Sequence, residues 1–113
     1  MYNSVLLIGR ATDKPVVKQL ESGVVVGNFV LAVNRPYKNG NGEYDCDFIN
    51  LTMWNSVASY AEEYIKKGSL VCVKGYLMPR EEILNCINEG GEEYKRKVRT
   101  VEVYVEKIVF LKL

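Results

Sequence analysis

The sequence predicts an all-β fold, a small barrel of five main strands with one short helix between the third and the fourth. Three observations carry that expectation. Apolar segments rich in valine recur with a period of two along the 113 residues. Turn-forming Gly and Asn clusters separate them. Helical spacing occurs once, directly after Trp54.

Taken in order, Val5-Leu6-Leu7-Ile8 is apolar without alternation, as in a strand buried on both faces, and Gly9-Arg10 would let it bend or end. Val16 to Leu20 forms a second short strand region, followed by the turn Glu21-Ser22-Gly23. Val24 to Val33 is a long strand whose Gly27-Asn28 step suggests a bend or bulge. Asn34 to Tyr44 is a hairpin, with two Asn-Gly steps placing the turn near residues 39–42. Phe48 to Trp54 alternates sharply. Ile49, Leu51 and Met53 form a core face, and Phe48, Asn50, Thr52 and Trp54 form the other. Val57, Ala61, Tyr64 and Ile65 then repeat at helical spacing, with Asn55 or Ser56 as N-cap, Lys66 and Lys67 at the carboxyl end and Gly68 beyond it. In Leu70 to Leu77, Val71, Val73 and Leu77 face one way and Lys74, Tyr76 and Arg80 the other, with Pro79 ending the strand or marking a sheet edge. Residues 82–87 and 94–105 form a second hairpin around Asn88 to Glu92, and Ile108, Phe110 and Leu111 close the core. The whole chain, 1–113, reads as a single domain.

Composition narrows the function. With no histidine and three cysteines, Cys46, Cys72 and Cys86, the chain lacks the makings of Ser-His-Asp or Cys-His catalysis, of the common zinc sites and of a disulfide framework. No enzymatic turnover, cofactor or metal is expected. No signal peptide or membrane-spanning run is readable, so a cytoplasmic protein without membrane contact is the expectation. Net charge is only +1, but it is unevenly spread. Residues 43–93 are acidic, whereas Lys95, Arg96, Lys97 and Arg99 cluster near the end. Ordinary solvated faces account for most of these charges equally well.

Five strands with a helix after the third is the order of the OB-fold, which binds oligonucleotides or sugars across its second and third strands. The polar strip with a ring near each end, Phe48 and Trp54 around Asn50, falls on the third. Arg35, Tyr37 and Lys38 interleave base and ring on the adjoining hairpin arm, as single-strand binders do. The alternatives are a solvated hairpin tip for the arm and a protein contact for the rings.

Several stretches resemble bacterial and phage single-stranded DNA-binding proteins: Val5 to Arg10, Ser22 to Phe29, Leu31 to Arg35, Asp47 to Asn50 with Trp54, Tyr64 to Val71 running on to Gly75, and Val101 to Val103 with Phe110-Leu111. The resemblance covers nearly the whole chain in order. It implies an OB-fold homotetramer that binds and protects single-stranded DNA without reading sequence, in replication, recombination and repair. It places stacking rings at Tyr37, Phe48 and Trp54, basic contacts at Lys67 and Arg80, and subunit pairing at the first strand, Tyr2 to Ile8. Arg35, Lys38 and Lys74 would add phosphate contacts.

Two departures stand out. Glu82, beside Glu81, occupies a position where the family usually has an aromatic. Tyr76, between Lys74 and Arg80 on the alternate face, would then offer a replacement ring or else pack at a subunit contact. The family's acidic carboxyl-terminal tip has no counterpart here. Val109 to Leu113 reads as core, so recruitment of partners through that end is not expected. RNA binding on the same surface, or binding to proteins alone, are the competing readings; an enzyme is the weakest.

Overall fold

The structure, a computed structural model, describes residues 1–112. Among these the chain forms strands β1 (Val5–Ala11), β2 (Val16–Gln19), β3 (Val25–Lys38) and β4 (Tyr44–Trp54), helix α1 (Asn55–Tyr64), then β5 (Leu70–Ile87) and β6 (Glu93–Phe110). β1 pairs antiparallel with both β5 and β3, β3 with β4, and β5 with β6, while β4 and β6 run parallel through Leu51↔Val103 and Thr52↔Tyr104. The ring β1-β3-β4-β6-β5 therefore closes on itself. β2 pairs with β3 and sits outside that ring. The result is a closed five-stranded barrel with its helix between the third and fourth ring strands, an OB-fold, as the strand order predicts.

Alternation explains what fills it. Leu31, Leu51, Met53, Val71 and Val73 are fully buried, joined by Phe29, Val105 and Ile108. The helix adds Ala58 and Ala61 to the same core, and Ile65, directly after its end, joins them. β1 can change partners from β5 to β3 because Gly9 carries no side chain: a Cβ there would run into the Ala32 carbonyl oxygen. The two hairpin tips share one construction. Asn39 Oδ1 accepts from the backbone of Asn41 and Glu43, and Asn88 Oδ1 accepts from Gly90 and Glu92. Gly42 and Gly91 supply the positive φ, 77° and 80°, that returns each chain.

Several local expectations are corrected. The β3–β4 register runs unbroken through Gly27 and Asn28, and the irregularity lies instead between Asn34 and Lys38. β1 continues through Gly9-Arg10 to Ala11, and its Leu6 and Ile8 stand exposed in the single chain at 67% and 53%. Neither Asn55 nor Ser56 caps the helix. Asn55, at φ 52°, uses its Oδ1 to accept from Val25 N and so ties the helix start to β3. The helix ends at Tyr64, before Lys66 and Lys67, and Gly68 belongs to the turn into β5, where its N–H reaches Ala11 O. Tyr64 faces outward and Ala58 takes the buried position. Pro79 does not end β5, which runs on to Ile87 as an edge strand beyond its pairing with β1. There the Asn3 amide bonds both the N–H and the carbonyl of Leu77, in the manner of a neighbouring strand. Phe110 and Leu111 are exposed rather than core, so Val109 to Lys112 is not the core segment expected of Val109 to Leu113; Leu113 itself lies outside the described residues.

Candidate nucleic-acid interface

β4 divides its side chains as the alternation predicts. Leu51 and Met53 are buried with Ile49 packed against them, while Phe48, Asn50, Thr52 and Trp54 line the outer face. Phe48 is 67% exposed. Trp54 lies six residue steps further on, about 20 Å at ~3.3 Å per step. Between them the strip is short and polar: Thr52 Oγ1 donates to Asn28 Oδ1 at 3.1 Å, and Asn50 borders a shallow hollow of about 260 Å³ with Thr12 and Lys14. On the β3–β4 arm Tyr37 is exposed, and Lys38 Nζ lies 5.8 Å from the Tyr44 ring centre, a cation–π distance.

The arginines are less free than their spacing suggests. Arg35 donates to both oxygens of Asp47, Nε to Oδ2 at 3.1 Å and Nη2 to Oδ1 at 3.0 Å, with Asp45 at 3.8 Å. That hydrogen bond, more than the charge alone, holds the Asp47 carboxyl below its usual range and raises the Arg35 guanidinium. Arg80 Nη1 donates to Glu102 at 2.9 Å, and its Nε lies 3.6 Å from Glu82, which together raise it likewise. A phosphate approaching either arginine meets a carboxylate already in place.

The acids at Glu81 and Glu82 do not act as a pair. They point to opposite faces of β5, where Glu81 is engaged by Lys97 and Arg99 at 3.1 and 3.2 Å. Only Glu82 shares the face of Arg80. Lys67 and Lys74 carry no ion pair among the described residues. Lys74 stands in register with Leu6 and Lys107, beside the exposed face of β1. Lys67 lies in the loop between α1 and β5.

The structure adds a residue that pattern reading passed over. Tyr104 is paired across the sheet with Thr52 on one side and Tyr76 on the other. Its ring meets Trp54 at 5.7 Å and Tyr76 at 5.8 Å, both edge-to-face. A groove of about 430 Å³ crosses the strands here, bounded by Lys18, Asn28, Trp54, Arg80, Glu102 and Tyr104 among others. The available signal was a lone aromatic on the polar side of the Val101–Val105 alternation. Rings on an exposed sheet, polar ground between them and cations around the rim suit a ligand of repeated flat bases on a phosphate backbone.

Residues 2–111 match the family described as "Single-strand binding protein family". Similar relatives include Single-stranded DNA-binding protein 3 of Listeria innocua, 40% identical over 98% of this chain and 64% of its own length. A single-stranded DNA-binding protein of Halalkalibacterium halodurans is 42% identical over 98% of this chain and 61% of its own length. Single-stranded DNA-binding protein B of Bacillus subtilis is 41% identical over 96% and 85% respectively. The chain thus spans about six-tenths of the length of the first two relatives.

Proposed function

The chain belongs to the single-strand binding protein family, and from that premise we propose that it binds single-stranded DNA without reading sequence and shields it during replication, recombination and repair. The observation that carries this is the outer strip of β4, where exposed Phe48 and the partly buried Trp54 ring flank polar Asn50 and Thr52. Bases stack on Tyr37, Phe48 and Trp54, each contact worth about 1–3 kcal/mol and indifferent to base identity because every base has a ring face. Tyr76 extends the same surface through its contact with Tyr104.

Phosphates meet Lys38 and Lys67 directly and reach Arg35 and Arg80 by displacing their carboxylates, whereas Lys74, opposite Leu6, borders the pairing face. Stacking therefore carries more of the affinity than charge does. The reading invokes no chemical step: the protein holds strands at the nucleoid and does not transform them. It works as a homotetramer whose first pairing lies along residues 2–8, where Leu6 and Ile8 leave an apolar face open.

Trp54 is the sole tryptophan, so titration with oligo-dT followed by tryptophan fluorescence tests the reading directly. Quenching that saturates is expected. Phe48→Ala and Trp54→Ala, the latter read by anisotropy of labelled DNA, should each weaken binding by about 1–3 kcal/mol with the fold intact. A folded double variant that binds as tightly as the wild type would remove β4 from the site. Competition by oligo-U of equal length separates DNA binding from RNA binding.

A further inference from the structure

We propose that Tyr104 is a further base-stacking residue. With Trp54 it makes the groove from β2 to β5 a second track for unpaired bases, running across the strands rather than along β4. The proposal rests on the single-strand reading and deepens it.

On β6, Val103 and Val105 pack toward the core, so alternation sends Tyr104 to the outer face. Its ring stands edge-to-face with Trp54 at 5.7 Å and 62°, and with Tyr76 at 5.8 Å and 67°. Packing on both sides fixes the ring, while the part left uncovered lines the groove. Next to it the floor is made of short side chains, Thr52 and Asn28, bonded to each other. No large side chain from these two positions blocks a flat base from lying over Tyr104.

The groove spans β2, β3, β4, β6 and β5. Those are four interstrand steps, roughly 19 Å at about 4.8 Å each. Its electrostatics give the track a direction. Lys18 stands at the β2 end with no ion pair among the described residues, whereas Arg80 at the β5 end is held by Glu102. The backbone of a bound strand is drawn toward Lys18, and the bases lie over Trp54 and Tyr104.

Trp54 also depends on this neighbour. Its Nε1 is buried and has no hydrogen-bond partner among the described residues, so packing against Tyr104, not a polar anchor, orients the indole.

Stacking and mere support of Trp54 are separated by experiment. Oligo-dT affinity is measured by anisotropy for wild type, Tyr104→Phe, Tyr104→Ala, Trp54→Ala and the Trp54→Ala/Tyr104→Ala double variant, each checked for folding by thermal denaturation. Tyr104→Phe should stay within about twofold of wild type. Tyr104→Ala should lose at least about fivefold, the lower end for one stacked base, and the double variant should bind more weakly than Trp54→Ala alone. An iodouracil-substituted oligonucleotide should photocross-link wild-type protein at the peptide containing Tyr104; this arm stands even if Tyr104→Ala fails to fold. Unchanged affinity in Tyr104→Ala, a double variant no weaker than Trp54→Ala, or labelling at Phe48 without labelling at Tyr104 overturns the proposal. Wild-type protein that binds no oligo-dT overturns the single-strand reading with it.

Discussion

Arg35 shows how one side chain changes meaning once its neighbours are placed. In sequence it is a cation beside Tyr37 on an exposed arm; in the fold it is clamped by Asp47 and approached by Asp45. The clamp lowers the Asp47 carboxyl and raises the guanidinium, the hydrogen bond being the first cause of both shifts. The sign of the linkage follows. A depressed carboxyl contributes stability above its unfolded value, near 3.9, and loses it as pH falls through the lower folded value. Over the neutral range this pair therefore adds no pH step to folding or to binding. Asp47→Asn should leave Arg35 free for phosphate and steepen the salt dependence of oligo-dT binding by about 0.7 in the log–log slope, the increment for one phosphate contact on a single strand. Affinities measured between low and moderate salt check this. An unchanged slope would mean that Asp47 does not hold Arg35 back from the phosphates.

At the level of elements, the barrel is shut by one strand that serves two partners. β1 pairs with β5 from Val5 to Arg10 and with β3 at Arg10 and Ala11. The crossing brings the Ala32 carbonyl against Gly9, leaving no room for a methyl group. Gly9→Ala should destabilise the domain by about 1–3 kcal/mol, the usual cost of overpacking a close contact. A shift of the urea midpoint at constant m-value measures it. The same substitution leaves the rings of β4 and β6 in place, so DNA affinity of the folded fraction should hold. The helix is fastened at its start by an unexpected link, Asn55 Oδ1 to Val25 N, which joins the end of β4 to the beginning of β3.

The whole molecule is more extended than its length requires. Its radius of gyration is 17.4 Å, against roughly 13 Å for a compact chain of this size. Two arms account for the difference: the outer β3–β4 hairpin and the long β5–β6 hairpin, the latter carrying exposed Ile83, Ile87 and Val101. Apolar side chains on arms that bury little within one chain suit a larger assembly. On the barrel itself Leu6 and Ile8 form another open apolar face, next to Cys72 on β5. Because both are already exposed in the single chain, Leu6→Glu with Ile8→Glu should leave the barrel folded. The pair should lower the mass measured by light scattering from that of the proposed homotetramer. A wild-type protein that is monomeric at micromolar concentration would reject the assembly outright.

Period-two alternation was enough to divide β4 into Leu51 and Met53 inside and Phe48, Asn50, Thr52 and Trp54 outside, because the pleat leaves a strand no other choice. The Asn-Gly steps placed the first tip for an equally local reason, since the turn needs a positive φ. Strand order with a single helix was likewise enough for the barrel and, with the resemblance, for the family. What sequence left open depends on residues far apart in the chain. Arg35 and Asp47 meet because β3 and β4 pair, and Arg80 and Glu102 meet because β5 and β6 do. Glu81 and Glu82, adjacent in sequence, part to opposite faces of the arm. Tyr104 joins Trp54 and Tyr76 only through the parallel contact of β4 with β6 and the register of β6 on β5. Local pattern sets which face a side chain takes; closure of the barrel sets which side chains share that face, and so where the ring row and its ion pairs lie.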